Sequence, residues 1–217
     1  MAKRLYFIPK SSYQGLIVEK TVYFPEIRGE RAHSMKKTLE TMLHVIRAKE
    51  SGGEILEVSP YGNAVGKACT PWLLKLKGED GVAYPVAALY EAAKVYEEGG
   101  PYEDLKSKRP EEILGDQRHR QAGSLMGFHF ENEAFTTNPR HKFFDYLYIR
   151  ALKERENLHE ALLKADIVTD VTYQMSSMYL SPARSVSYFI SLYREGLLEK
   201  VLSSSEDFDK IYTLTFP

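Results

Sequence analysis

A glutamate and a lysine lie three residues apart near the middle of the chain, Glu91 and Lys94, and both residue types can do chemistry. From Pro85 to Gly99-Gly100 the apolar residues recur at steps of three and four, which predicts one amphipathic helix carrying both groups. A partly desolvated lysine can polarise a leaving group or act as a nucleophile. The same spacing is typical of a solvated Glu–Lys pair, which stabilises a helix by only ~0.2–0.5 kcal/mol. Spacing alone leaves both interpretations open.

The stretch around this pair reads YPVAALYEAAKVYEEGGPYEDL over residues 84–105. It resembles the signature YPSVE-x-x-F-Q-A-x-K-F of the NADAR superfamily, the YbiA-like N-glycosidases, and Lys94 falls on the family's lysine. Its ending resembles the SKVFENGGPYTDLY of the branch described as DarT-associated NADAR antitoxins. The resemblance to that branch covers roughly residues 55–198 and includes residues 144–152, which match its FYDWLYINAL. It implies a NADAR-like fold with an N-glycosidase active site.

Position 87 departs from the family at the residue that is regarded as catalytic, because the family's glutamate falls on Ala87. Alanine can neither handle a proton nor stabilise a positive charge. Glu91 stands at the family's glutamine, one helical turn further along, and could partly replace the missing carboxylate. Because the neighbours of Ala87 read as the family does, we expect this chain to be an inactivated form of an active parent.

The resemblance implies hydrolysis of the bond that joins ADP-ribose to guanine in DNA, after a DarT-type toxin has modified it. Such a bond breaks through a cation-like sugar, so the site needs a carboxylate near the anomeric carbon and a group that holds the leaving guanine. Lys94 would polarise the leaving group or attack the opened sugar as a Schiff base. Asp170 falls on a family aspartate and would orient the ribose hydroxyls. The expected partners are ADP-ribosylated guanine in single-stranded DNA and the cognate toxin.

Two alternative functions stay open. One is a YbiA-like glycosidase acting on a small ribosylamine metabolite, although the GGPYEDL extension favours the antitoxin branch. The other is a non-catalytic reader of ADP-ribose or a toxin-binding partner, for which Ala87 would be natural.

Six further residues are candidates for substrate binding. The chain's one tryptophan is either a core residue or a platform on which a base stacks. An arginine near the start of a predicted helix at Pro182 would suit a diphosphate, because free backbone N–H groups and the helix dipole both favour an anion. The six candidates are Tyr61, Trp72, Gly100, Tyr102, Asp145 and Arg184.

A basic segment follows the central motif and has two interpretations. It is either a solvated helix surface or a surface that contacts DNA phosphates. Its candidate residues are Lys106, Lys108, Arg109, Arg118 and Arg120. The chain as a whole has 29 basic and 30 acidic residues, so its net charge gives no argument for nucleic-acid binding.

Composition limits the chemistry further. A single cysteine, Cys69, excludes an intramolecular disulfide and a cysteine-based zinc site, and the scattered histidines lack ligand spacing, so no metal or cofactor is implied. The first residues have no apolar leader, and no stretch approaches the length of a membrane span. The cytoplasm is therefore the expected location.

Helical patterns alternate with short strands, which predicts a mostly helical α+β domain. We expect strands and a helix packed on the core over residues 1–53, a NADAR-like catalytic core over 54–202, and a tail over 203–217 with a short strand. The predicted strands are 5–9 and 16–24, which are expected to pair, together with 54–58, 69–76 and 211–216, and 167–171 is expected to be a short strand or loop. The predicted helices include 34–49, with Ser34 as N-cap, 157–165 and 182–195. Asn138 is expected to cap a helix containing Phe143 and Leu152, and His44 is expected to be packed and hydrogen-bonded.

Overall fold

A computed structural model describes residues 1–10, 15–27, 31–173 and 180–215. Helices and short strands alternate within these ranges, which confirms the α+β class. The chain divides into two compact units: unit 1 comprises Met1–Thr70 and Arg155–Pro217, and unit 2 comprises Pro71–Glu154. The predicted boundaries at residues 53 and 202 stay predictions. No helix of the described ranges is long and apolar enough to cross a membrane.

The secondary structure elements are numbered in chain order. The strands are β1 Ala2–Pro9, β2 Ile17–Phe24, β3 Ile55–Glu57, β4 Lys75–Lys77, β5 Ala83–Pro85, β6 Lys94–Tyr96, β7 Leu125–Phe130, β8 Glu133–Thr136 and β9 Ile167–Thr169. The helices are α1 Arg31–Lys49, α2 Ala64–Ala68, α3 Val86–Ala92, α4 Pro110–Gly115, α5 Arg118–Gln121, α6 Lys142–Lys153, α7 Glu156–Leu163, α8 Pro182–Arg194, α9 Leu198–Val201 and α10 Ser205–Thr215. A 3-10 helix covers Glu103–Ser107.

Unit 1 is built on a sheet with the strand order β2-β1-β9-β3. The antiparallel pairing of β1 with β2 confirms the predicted N-terminal strand pair. Strand β9 runs antiparallel to β1 and parallel to β3, although more than a hundred residues separate β3 from β9 in the chain. Apolar residues of the sheet and of α1 bury one another, among them Phe24, Met42 and Ile46. Because apolar burial is the main driving force of folding, this cluster holds α1 on the sheet.

Unit 2 combines the β4-β5 pair, the three-stranded sheet β6-β7-β8, and helices α3 and α6. The turn between β7 and β8 has only two residues, Glu131 and Asn132, with φ angles of 49° and 64°. Two positive φ values in a two-residue turn match the twist of a hairpin. Helix α6 buries the predicted apolar face, including Phe143 and Leu147. The Tyr90 ring of α3 lies 5.9 Å from the Phe143 ring, so aromatic packing joins the two helices.

The central helix is shorter than predicted, because α3 ends at Ala92 and Lys94 begins a strand. The reason is long-range pairing: Lys94 lies opposite Phe128 of β7, and the Ala93 carbonyl accepts a hydrogen bond from His129 N. Such ladder bonds override a local helical pattern. Gly100 does not end a helix either. Its φ is +89°, and a Cβ there would lie 2.1 Å from the Lys94 carbonyl oxygen, so this close approach of the backbone requires glycine.

Four other sequence predictions are wrong. Ser34 lies inside α1 rather than at its N-cap, and His44 is exposed. Helix α6 starts at Lys142 with His141 as its N-cap, so Asn138 caps nothing there. The predicted strand 69–76 shortens to β4 because its first residues form turns.

The predicted C-terminal strand is also wrong, since the described part of the tail is helix α10. Ser204 Oγ accepts a hydrogen bond from Asp207 N at 3.0 Å, as an N-cap side chain does. Phe208, Ile211 and Tyr212 are buried at helical spacing. Residues 216 and 217 lie outside the described residues.

Candidate active site

Glu91 and Lys94 form a close ion pair in unit 2. Lys94 Nζ lies 2.6 Å from Glu91 Oε2, and their side chains are only 17% and 12% exposed, respectively. The ammonium also lies 5.3 Å from the centroid of the Tyr90 ring, within the range of a cation–π contact. The pair is thus largely removed from solvent, which argues against the interpretation as a solvated surface pair.

Ala87 is buried on α3, one turn before Glu91, and residues four apart on a helix lie on the same face. Its backbone N–H donates to the Pro71 carbonyl at 2.9 Å, so the start of the helix is fixed. A carboxylate at position 87 would start from the helix face that carries Glu91.

His119 of α5 joins this pair, although in the sequence it is only one more polar residue of the basic segment. His119 Nε2 lies 3.6 Å from the same Glu91 Oε2 that binds Lys94, and His119 Nδ1 lies 3.0 Å from the Tyr96 hydroxyl. Burial lowers the pKa of His119, opposed by the nearby Glu91 carboxylate. Burial, aided by Glu91, raises the pKa of Tyr96 to about 12, so its hydroxyl stays protonated.

Tyr102 and Gly100, both candidates for substrate binding, lie in the same part of unit 2. The Tyr102 ring stacks at 6.3 Å from the Tyr96 ring and lies 5.8 Å from the His119 ring. The guanidinium of Arg118 is 4.5 Å from the Tyr102 ring centroid. The tight backbone at Gly100 follows Lys94 and leads into Tyr102, so these two candidates are next to the ion pair.

Trp72 and Asp145 are placed differently. Trp72 is half-buried and packs with Tyr102 against a small apolar cluster that includes Ala88 and Leu105. This contact favours a core role for the indole over a free stacking platform. Asp145 is fully buried on α6.

Asp170, Tyr61 and Arg184 belong to unit 1. Asp170 follows β9, and its Oδ1 accepts hydrogen bonds from the backbone N–H groups of Thr172 at 2.8 Å and Tyr173 at 3.2 Å. Burial nevertheless raises the pKa of Asp170 to about 6. Tyr61 is half-buried against the core of unit 1, and Arg184 is buried in the first turn of α8.

Glu57 is a second buried carboxylate beside Asp170 that the sequence did not indicate. Its Oε1 accepts a hydrogen bond from Val171 N at 2.8 Å, and its Oε2 accepts one from the Thr169 hydroxyl. Burial, followed by repulsion from Asp170, raises the pKa of Glu57 to about 7. Glu57 looked like one residue of a short strand, and only the pairing of β3 with β9 brings it to Asp170.

The basic segment is largely neutralised by its own acidic neighbours. Arg118 forms ion pairs with Asp116 at 2.8 Å and with Asp104 at 2.9 Å. The other ion pairs join Lys106 to Asp80 and Glu103, Lys108 to Asp104, and Arg109 to Glu112. Arg120 is exposed. This pairing favours the solvated interpretation, and contact with DNA phosphates stays a prediction.

Unit 2 also contains a cavity of about 440 Å³ that neither Glu91 nor Lys94 lines. Its polar wall includes Asp80, Tyr84, Glu103, Lys106, His129 and Glu131. Lys106 pairs with both Asp80 and Glu103, and Arg150 pairs with Glu131. Within the described ranges, no group of three or more His, Cys, Asp or Glu residues is placed to hold a metal ion.

Comparison with known proteins agrees with the resemblance read from the motifs. A family model described as DarT1-associated NADAR antitoxin matches residues 2–216. A search of curated proteins finds no match. The family match covers nearly the whole chain, and so includes the Glu91–Lys94 pair of unit 2 as well as Asp170 and Glu57 of unit 1.

Proposed function

The chain belongs to the DarT1-associated NADAR antitoxins, and on that premise we propose that it is an N-glycosidase that removes ADP-ribose from guanine in DNA. In this form Ala87 leaves the enzyme nearly inactive. One observation carries the proposal: Lys94 of the matching motif is largely buried and is held at 2.6 Å by Glu91, which lies one turn after position 87 on α3. A buried lysine paired with a carboxylate is better suited to reaction with a sugar than to the role of a solvated surface charge.

The proposed chemistry divides the work between Lys94 and the missing carboxylate. Cleavage leaves positive charge on the ribose and negative charge on the guanine. A carboxylate at position 87 would stabilise the ribose cation, and Lys94 would polarise the departing base or attack the opened sugar as an amine. Release of ADP-ribose would restore the base and so reverse the action of a DarT-type toxin.

The second candidate function is a reader that binds ADP-ribose without cleaving it. Ala87 favours it directly, because the position that would carry the acid has no ionisable group. A glycosidase acting on a small ribosylamine metabolite would be distinguished by the absence of salt-sensitive binding to modified DNA.

The decisive experiment is single-turnover release of ADP-ribose from guanine-modified single-stranded DNA. It compares the chain with its Ala87→Glu variant, and uses Ala87→Gln as a control of similar size without an acid. We expect Ala87→Glu to be about 10²–10⁴-fold faster than the other two forms, the usual contribution of a catalytic acid or base. In the Ala87→Glu background, Lys94→Met should remove most of that gain.

Each other result has a distinct meaning. Equal rates for all three forms would refute the role of position 87. Binding of the modified strand by both the chain and Ala87→Glu, with no release by either, would establish the reader. Release from a free ribosylamine but not from DNA, without salt-sensitive binding to the strand, would point to the metabolite glycosidase.

A further inference from the structure

His119 is placed where a second hydrogen-bond donor to Glu91 would be needed. Its side chain is 12% exposed, and Nε2 is buried without a hydrogen-bond partner, 3.6 Å from Glu91 Oε2. Buried polar nitrogens are almost always hydrogen-bonded, so an unpaired one suggests a role in another state of the site. A shift of less than about 1 Å would close this distance to an ordinary hydrogen bond.

Its neighbours fix the ring and its tautomer. Nε2 faces the Glu91 carboxylate, which can only accept a hydrogen bond, so the ring hydrogen belongs on Nε2. Nδ1 then accepts a hydrogen bond from the Tyr96 hydroxyl, 3.0 Å away. The Tyr96 and Tyr102 rings lie 5.9 Å and 5.8 Å from the imidazole. The charged groups around the ring are Glu91 of α3, Lys94 of β6, and, on its own side, Asp116 and Arg118.

Glu91 depends on such a donor whenever Lys94 is engaged elsewhere. In the resting arrangement Lys94 neutralises the Glu91 carboxylate. If the amine turned to a ligand, Glu91 would remain buried and charged with no partner, and leaving a buried charge unpaired in this way is strongly unfavourable. That penalty would keep Lys94 bound to Glu91 and out of reach of a sugar.

We propose that His119 is a positioning residue that replaces Lys94 as the hydrogen-bond donor to Glu91, and so frees the lysine amine for a sugar aldehyde. This inference rests on the proposed function, in which Lys94 acts on ADP-ribose. A neutral imidazole is suited to the exchange because it donates a hydrogen bond without competing as a cation while Lys94 is in place.

The test measures how readily Lys94 reacts with ribose 5-phosphate in the full-length chain. The amine gives its extra proton to the buffer and condenses with the open-chain aldehyde to an imine, releasing water; cyanoborohydride then supplies the hydride that reduces the imine to a stable amine. Peptide mass spectrometry gives the rate at Lys94, with the exposed Lys36 as internal reference.

His119→Leu should slow modification of Lys94 relative to Lys36 by about tenfold, because a hydrogen bond to a charged group is lost. His119→Gln, whose amide can donate to Glu91, should restore the rate to within about twofold. In a Glu91→Gln background, where no buried charge needs a donor, His119→Leu should have no effect. The exposed His44→Leu is the matched control and should change nothing.

Three results would overturn the proposal: a parent-like rate in His119→Leu, an equal slowing by His119→Leu with and without Glu91, or a parent chain in which Lys94 never reacts. If His119→Leu lowers the melting temperature, Tyr96→Phe replaces it, since loss of the hydroxyl frees the tautomer and should slow Lys94 severalfold. The labelling assay does not depend on cleavage of DNA. A failure of the glycosidase proposal would therefore appear in the DNA experiment, and a failure of the His119 proposal in the labelling rates.

Discussion

Replacing Glu57 by glutamine should make the protein more stable in alkaline solution. The carboxylate is buried beside Asp170, and it accepts hydrogen bonds from Val171 N and the Thr169 hydroxyl. A glutamine side chain has the same shape and can keep the bond from Val171 while donating to the Thr169 oxygen. The substitution therefore removes the charge and leaves the packing of β3 against β9 in place.

The magnitude follows from the pKa of Glu57, which burial raises from the ordinary value of 4.5 to about 7. A carboxyl group with a raised folded-state pKa stabilises the fold fully below the unfolded value, and this contribution is lost as the pH rises through the folded value. At about 1.4 kcal/mol for each pKa unit, Glu57 should lower the free energy of unfolding by about 2–3 kcal/mol between pH ~5 and pH ~8.5. Asp170, with its pKa raised to about 6, adds a decline of the same sign.

Urea unfolding followed by circular dichroism at those two pH values measures the effect. Between these two pH values the free energy of unfolding should fall more in the parent than in Glu57→Gln. The difference between the two losses is the contribution of Glu57. Glu19→Gln, at an exposed position on β2, is the matched control and should follow the parent. If Glu57→Gln loses as much stability as the parent, or if the parent is equally stable at both pH values, burial does not raise the pKa of Glu57.

Other predictions concern backbone fit and burial. Gly66→Ala should lower the free energy of unfolding in urea by more than about 2 kcal/mol, because a Cβ there would lie 1.8 Å from the Glu57 carbonyl oxygen. Gly115 has open space around it, so Gly115→Ala is the control and should change the free energy of unfolding by no more than about 0.5 kcal/mol. Asn132→Val should lower the melting temperature, since a branched side chain at φ 64° costs about 1–2 kcal/mol; an unchanged value would contradict the turn geometry. Cys69 is buried, which raises the pKa of its thiol to about 12, so iodoacetamide near neutral pH should label it only after urea is added.

Apolar periodicity predicted α6 and α8 closely, because their apolar patterns are long and both helices are buried on nearly every side. It failed where a distant strand competes with local preference. Residues 94–96 continue a helical pattern, yet they pair with β7, about thirty residues further along the chain. The tail failed for a local reason: its apolar residues alternate loosely enough to suggest a strand, while Ser204 provides the N-cap of a helix.

The candidate site was predictable only in part. Glu91, Lys94, Gly100 and Tyr102 lie within one motif, so their proximity followed from short spacing. His119 appeared as one more polar residue of a basic segment, and nothing local marks it as buried. The tyrosines of the motif could have indicated that another ring packs beside Lys94, because aromatic side chains in a buried site need packing partners. In the structure the His119 ring packs against Tyr96 and Tyr102.

The parallel pairing of β3 with β9 has a consequence for the order in which the chain can assemble. Unit 1 is discontinuous in sequence, whereas unit 2 is one uninterrupted segment. During translation the β1-β2 hairpin can form early, but β9 enters between β1 and β3 only after residues 167–169 have left the ribosome. At ~5–20 residues per second, β3 waits several seconds without its partner strand. Throughout that interval Glu57 is free of the hydrogen bonds and the desolvation that it meets in the finished sheet, so its raised pKa arises only once β9 has paired with β3.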